Sequence, residues 1–104
     1  VPVYGDGTNT REWIHVDDHS RALMLVAEKG AAGRVYNIGS GVELSNINMV
    51  RKLAEMTGFF GDPVRFVEDR KGHDQRYALD CSRIRDELGF EPEIAFEDGL
   101  RELI

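Results

Sequence analysis

Short β-branched or aromatic runs alternate along this chain with stretches of helical period that glycine closes, and that alternation confines it to the α/β class. Trp13-Ile14-His15-Val16 reads as a strand. Asp17 or Asp18 then caps a helix that runs through Ala22-Leu23-Met24-Leu25-Val26-Ala27 to Gly30. Val35-Tyr36-Asn37-Ile38 reads as a second strand, leading through Gly39-Ser40-Gly41 into a helix capped by Ser45. That helix keeps Ile47, Val50, Leu53 and Ala54 on one face and ends at Gly58. Behind Pro63, Val64-Arg65-Phe66-Val67 reads as a third strand, and Ser82 or Asp80 caps a short helix closed by Gly89. Pro92 separates this from a last helix carrying Phe96, Leu100, Leu103 and Ile104.

With 104 residues, of which 41% are hydrophobic, the chain suits one small domain or a piece of a larger one, with a modest core. Valine in place of an initiator methionine, and a final helix still running at Ile104, lead us to expect a fragment. A net charge of −6 argues against general affinity for nucleic-acid backbones, so any anion must be met locally. The lone Cys81 excludes an internal disulfide, the Cys/His cluster of a structural zinc site is absent, and a reducing, cytoplasmic setting fits. No apolar run approaches the roughly 20 residues that span a bilayer, so neither a membrane nor a nucleic acid is an expected partner.

Catalytic patterns are missing. A dinucleotide fingerprint needs a third glycine after the phosphate turn, and Gly39-Ser40-Gly41 is followed by Leu44 at that place. Tyr4, Tyr36 and Tyr77 are followed four positions on by Thr8, Ser40 and Cys81, so no tyrosine has the lysine that would lower its phenol's pKa. Cys81 reads as a small core filler, His15 and His19 as packing or surface residues, and Trp13 as core. No catalytic or metal-ligating residue is assigned.

What remains is anion binding. The glycine turn before Ser45-Asn46 is either a phosphate site at a helix N-terminus or an ordinary connection. Arg11, between a Gly-rich turn and a strand, either forks onto a phosphate or pairs with Glu12 or Asp17. From Glu68 to Arg76, seven of nine residues are charged or histidine, with Gly72 as a hinge. This loop either grips a diphosphate and a base or is simply solvated.

Taken together, Pro2-Val3-Tyr4-Gly5-Asp6-Gly7, Arg11-Glu12-Trp13, Val16-Asp17-Asp18, Tyr36-Asn37-Ile38-Gly39 and Asp69-Arg70-Lys71-Gly72-His73-Asp74-Gln75-Arg76-Tyr77 resemble the carboxy-terminal third of the dTDP-glucose 4,6-dehydratases. The earlier motifs are shared across the extended short-chain dehydrogenase/reductases; the last narrows the resemblance to the dehydratases. Lys71 stands where many members carry proline, and Gln75 where some carry arginine.

The resemblance implies that residues 1–104 are a small mixed α/β substrate-binding lobe lacking the Rossmann NAD-binding core. It implies that Pro2, Val3 and Tyr4 line the thymidine, that Arg11 holds the diphosphate, and that Asn46 contacts substrate. Asp69, Arg70, Lys71, Gly72 and His73 would close over the nucleotide, with Arg70 on phosphate and His73 near base or ribose. The implied partners are dTDP-glucose and the Rossmann domain of the same chain, which binds NAD and supplies the chemistry, in a homodimer. Alone, the lobe would be inactive. A UDP-sugar epimerase or decarboxylase lobe, or a non-catalytic nucleotide-sugar-binding module, remains open.

Overall fold

Thr10–Glu12 and Glu43–Ser45 pair despite weak strand composition, while Arg65–Val67 pairs within an expected strand. In the computed structural model, which describes residues 1–104, β1 (Pro2–Tyr4) pairs in parallel with β4 (Arg65–Val67), and β2 (Thr10–Glu12) pairs antiparallel with β3 (Glu43–Ser45). Four helices complete the chain: α1 (Val16–Lys29), α2 (Asn46–Met56), α3 (Ser82–Leu88) and α4 (Phe96–Leu103). The expected α/β class holds, with two small sheets instead of one.

Two expected strands move. Trp13–Val16 is not a strand; the ladder lies just upstream, where Arg11 faces Leu44, and extends past Glu12 only through the Trp13 N–H to Val42 O at 2.9 Å. The chain must leave the sheet there because α1 begins at Val16, capped by His15, whose Nδ1 accepts the Asp17 N–H at 3.2 Å. Val35–Ile38 runs without a ladder, since no strand of the chain lies beside it. It is held instead by Arg83, which donates to Val35 O at 2.8 Å, and by Asn37, which donates to Asp80 O at 3.1 Å.

Asp18 does not cap α1. Its carboxylate is buried at 2% exposure and accepts the N–H groups of Glu93 at 3.0 and 3.1 Å and of Ile94 at 3.0 Å, with Arg21 Nη2 at 2.9 Å. It thereby ties α1 to the segment that precedes α4. Burial alone would raise its pKa, but these donors prevail and hold it below the usual carboxylate range. Elsewhere the cap of α2 and the close of α3 are as expected, while Cys81 opens α3 without a side-chain cap. Ser45 Oγ accepts the Asn48 N–H, Asp80 accepts the Ser82 N–H, and Gly89 closes α3 at φ 71°, a left-handed conformation glycine adopts without strain.

The core is thin. Ala22, Ile84 and Phe90 form its centre, with Tyr36, Ile38 and Leu88 packed around them, and only 10 of 104 residues are buried. The molecule is a slab of 49 × 33 × 16 Å whose radius of gyration, 16.4 Å, exceeds the roughly 13 Å of a rounded domain this long. Leu23, Met24, Val35, Phe60, Phe66 and Leu79 remain more than half exposed. A cavity of about 400 Å³ lies between the start of α1, α2 and α4, lined mainly by apolar side chains including Trp13, Met49, Leu53, Phe96 and Leu100. No helix is long and apolar enough to cross a membrane.

Candidate nucleotide-binding site

The charged loop after β4 folds back over β1 and β2. Thr10 N–H donates to Gln75 O at 2.7 Å and Tyr77 N–H to Thr10 O at 3.1 Å, so the loop's far end makes a parallel bridge beside β2. Asn9, buried, adds Nδ2 to Asp74 O at 3.1 Å, and Gln75 Nε2 reaches Thr8 O and Oγ1 at 3.3 and 3.2 Å. The near end starts from β4 and is organised by Asp69, whose Oδ1 accepts the Arg70 N–H at 2.9 Å and the His73 Nδ1–H at 2.8 Å. Since a carboxylate only accepts, the His73 proton must sit on Nδ1.

Gly5 allows this approach. A Cβ there would come within 3.0 Å of Asp69 Oδ2, and its φ of 59° already favours glycine. His73 then meets Tyr4 edge-on, with ring centroids 6.0 Å apart at 80°, and the Arg70 guanidinium lies 6.0 Å above the Tyr4 ring. Gly72, at φ 69°, makes the turn in an open position, with Lys71 exposed beside it.

Arg11 is placed with equal definition. Its Nη1 donates to Thr10 O at 2.7 Å, its Nη2 donates to Asp74 O at 3.0 Å, and its flat face lies 4.3 Å from the centre of the Tyr77 ring. The Tyr77 hydroxyl donates to Asp74 Oδ2, a bond that raises the phenol's pKa, with the carboxylate's charge acting in the same direction. The charges of Arg11 and Arg70 act on that phenol in the opposite direction, more weakly.

Neither Glu12 nor Asp17 pairs with Arg11. Glu12 accepts the N–H groups of Gly41 at 2.7 Å and Leu79 at 3.0 Å, while Asp17 lies against His15. Arg11, Arg70 and Lys71 have no carboxylate within ion-pair distance, whereas Arg21, Arg34, Lys52, Arg76, Arg83, Arg85 and Arg101 each do. Lys29, Arg51 and Arg65 are unpaired as well, elsewhere on the chain, so three of the six unpaired cations lie at this loop in a chain of net negative charge.

The structure bears on three readings of this region, one of which the sequence leaves open. Val3 is core, at 4% exposure, because a strand alternates its faces: Pro2 and Tyr4 turn outward while Val3 packs against Gly7. The glycine turn before α2 is no phosphate cradle, because the N–H groups of Asn46, Ile47 and Asn48 are already taken by Asn9 O, Gly7 O and Ser45 Oγ. Asn46 itself, partly buried, adjoins the loop through Asn9. His73 shows only 4% of its side chain, so the ring braces Tyr4 and the loop and presents little of itself to a ligand.

In the sequence Tyr77 reads only as an aromatic group for a base or ribose, and Asp74 as part of the same loop without a role of its own. The available signal was their spacing of three within a basic loop, which brings a carboxylate to a phenol. Cys81 behaves as expected of a filler: burial first, then Glu12 and Asp80, push its thiol pKa up.

The chain is similar to known proteins over nearly its whole length. The chain is 57% identical over 100 residues, 96% of its length, to "Low-salt glycan biosynthesis protein Agl12" of Haloferax volcanii, of which it covers 32%. It is also 57% identical over 100 residues to the dTDP-glucose 4,6-dehydratase of Streptomyces griseus, covering 96% of this chain and 30% of that one. The crystal structure of DesIV, a dTDP-glucose 4,6-dehydratase from Streptomyces venezuelae with NAD bound, superposes with a TM-score of 0.94 at 49% identity, covering 98% of this chain and 32% of that one. The chain thus spans about a third of the length of the relatives it matches, and its fold is that of part of an extended short-chain dehydrogenase/reductase. The profile of the GDP-mannose 4,6 dehydratase family runs over residues 1–103, and the chain belongs to that family.

Proposed function

We propose that this chain is the nucleotide-sugar-binding part of a dTDP-glucose 4,6-dehydratase, which converts dTDP-glucose to dTDP-4-keto-6-deoxyglucose and water. The observation that carries the reading is a pair of guanidinium groups without carboxylate partners at one loop, Arg11 against the Tyr77 ring and Arg70 over the outward ring of Tyr4. Arg11 and Arg70 would hold the diphosphate, with Lys71 adding charge at its edge. Pro2 and Tyr4 would line the base, and Asn46 would meet the substrate beside Asn9. Asp69, Gly72 and His73 would shape the loop that covers it.

The residues present do not fit NAD. Three glycines in dinucleotide spacing are absent, and the N–H groups that open α2 are occupied. NAD would be held by the remainder of the protein, against which the exposed Leu23, Met24 and Val35 and the ladderless Val35–Ile38 segment would pack. This chain's contribution is binding energy: contacts to the nucleotide, remote from the reacting carbon, fix the sugar's orientation. On this reading the isolated chain is inactive and the full-length protein acts as a homodimer.

Calorimetric titration of the full-length protein with dTDP and with UDP tests the assignment, alongside turnover of dTDP-glucose. Tighter dTDP binding with formation of the 4-keto product is expected. Preference for UDP would favour a UDP-sugar epimerase or decarboxylase, and binding without turnover would favour a non-catalytic module.

A further inference from the structure

Arg11 is held by an unusual set of partners. Its two hydrogen bonds go to main-chain carbonyls, Thr10 O and Asp74 O, which leaves three of the five N–H donors of a guanidinium unspent. Carbonyls fix the edge of the fork without neutralising its charge. One flat face is covered by the Tyr77 ring at 4.3 Å, and Arg11 lines an open cavity of about 370 Å³ together with Tyr77, Arg76, Leu79 and Glu12, whose carboxylate accepts the Gly41 and Leu79 N–H groups. Three donors thus remain unspent on a residue that borders a space large enough for a phosphate.

Tyr77 is itself constrained. Its hydroxyl donates to the Asp74 carboxylate, and its backbone N–H donates to Thr10 O at 3.1 Å, the same oxygen that receives Arg11 Nη1. Asp74 thus acts twice, through its side chain on Tyr77 and through its carbonyl on Arg11. The ring cannot swing away from the guanidinium without breaking a hydrogen bond to Asp74.

We propose that Tyr77, locked by Asp74, is a positioning residue that holds Arg11 flat and preorganised for an anionic phosphate group of the ligand. The inference rests on the nucleotide-binding reading above. A guanidinium on a long flexible stem loses conformational freedom when it binds; an aromatic platform removes that freedom beforehand while leaving the charge intact. An acidic partner would supply the same rigidity at the cost of the charge, and both Glu12 and Asp17 are engaged elsewhere.

The test is dTDP affinity of the full-length protein by calorimetry, read as a double-mutant cycle. Arg11→Ala should weaken binding by about 10- to 100-fold, the loss of a charge-assisted contact. Tyr77→Leu should weaken it by about fivefold, and should have no further effect in the Arg11→Ala background. Tyr77→Phe, which keeps the ring, should recover most of the loss. If Arg11→Ala leaves affinity unchanged, the binding reading itself fails. If Arg11→Ala weakens binding but Tyr77→Leu does not, or weakens it equally with and without Arg11, the positioning role is overturned. Should Tyr77→Leu fold poorly, phenylalanine and its di- and pentafluoro analogues at position 77 keep the shape and progressively weaken the ring face. Affinity falling along that series supports the proposal, and a flat series overturns it.

Discussion

The carboxylate of Asp18 accepts the backbone N–H of Glu93 with both of its oxygens, at 3.0 and 3.1 Å, across 75 residues of sequence. Replacing it with alanine strands the Glu93 and Ile94 donors and leaves Arg21 without its partner at 2.9 Å. We expect Asp18→Ala to cost about 2–4 kcal/mol in the full-length protein, measured by denaturant unfolding. Because the folded pKa lies below the unfolded one, this contribution is complete above the unfolded value, near 4, and is lost as pH falls through the folded value. The wild-type protein should therefore lose stability on acidification more steeply than Asp18→Asn. Parallel slopes would contradict the assignment.

Arg70 should matter to ligand affinity and little to stability, since its guanidinium has no carboxylate partner and its neighbour is the Tyr4 ring. Arg70→Ala is expected to weaken dTDP binding by about 1.5–3 kcal/mol while leaving the melting temperature within a degree or so. An unchanged dissociation constant would remove Arg70 from the phosphate.

For His73 the expected outcome is the reverse balance. With 4% of its side chain exposed and its Nδ1–H bound to Asp69, His73→Ala should destabilise the loop and lower affinity for dTDP and UDP by the same factor. A change in the dTDP to UDP ratio would show that the imidazole reads the base directly.

Gly39 is buried where no side chain fits. A Cβ would collide with Glu12 Oε1 and come within 2.9 Å of Cys81 Sγ, disturbing the carboxylate that accepts from Gly41 and Leu79. Gly39→Ala is expected to cost about 1–3 kcal/mol, seen as a lower melting temperature. Wild-type stability would mean that Glu12 is dispensable as a clamp.

The raised pKa of Cys81 makes a chemical prediction. At pH 7.5 little thiolate is present, so modification of the native protein by a disulfide reagent should be slow and should accelerate on unfolding. Rapid labelling of the folded protein would contradict this burial.

The helices were legible from sequence because their signals are local. Ser45 caps α2 three residues before the amide it serves, and Gly89 closes α3 with its own left-handed backbone. Of the strands only β4 was, within the expected Val64–Val67, because strand identity otherwise depends on a neighbour. Val35–Ile38 has the composition and no partner strand, whereas Thr10–Glu12 has weak composition and pairs with β3. In the site, the charges of Arg11, Arg70 and Lys71 could be read directly. The carbonyl of Asp74 under Arg11 could not, nor could the burial of Val3 and His73, since each follows from contacts between distant segments.

Those distant segments bear on how the protein reaches its native state. Arg11 meets Asp74 O across 63 residues, Asn9 meets it across 65, and the β1–β4 pairing joins Tyr4 to Val67. Contacts of such separation form after local ones, because closure of the intervening loop must precede any gain from them. Refolding should therefore show α1 and α2 gaining helical signal before Trp13 and Tyr77 report the closed loop. On the proposed reading, a nucleotide bound by the closed loop should slow unfolding while leaving the early folding rate unchanged.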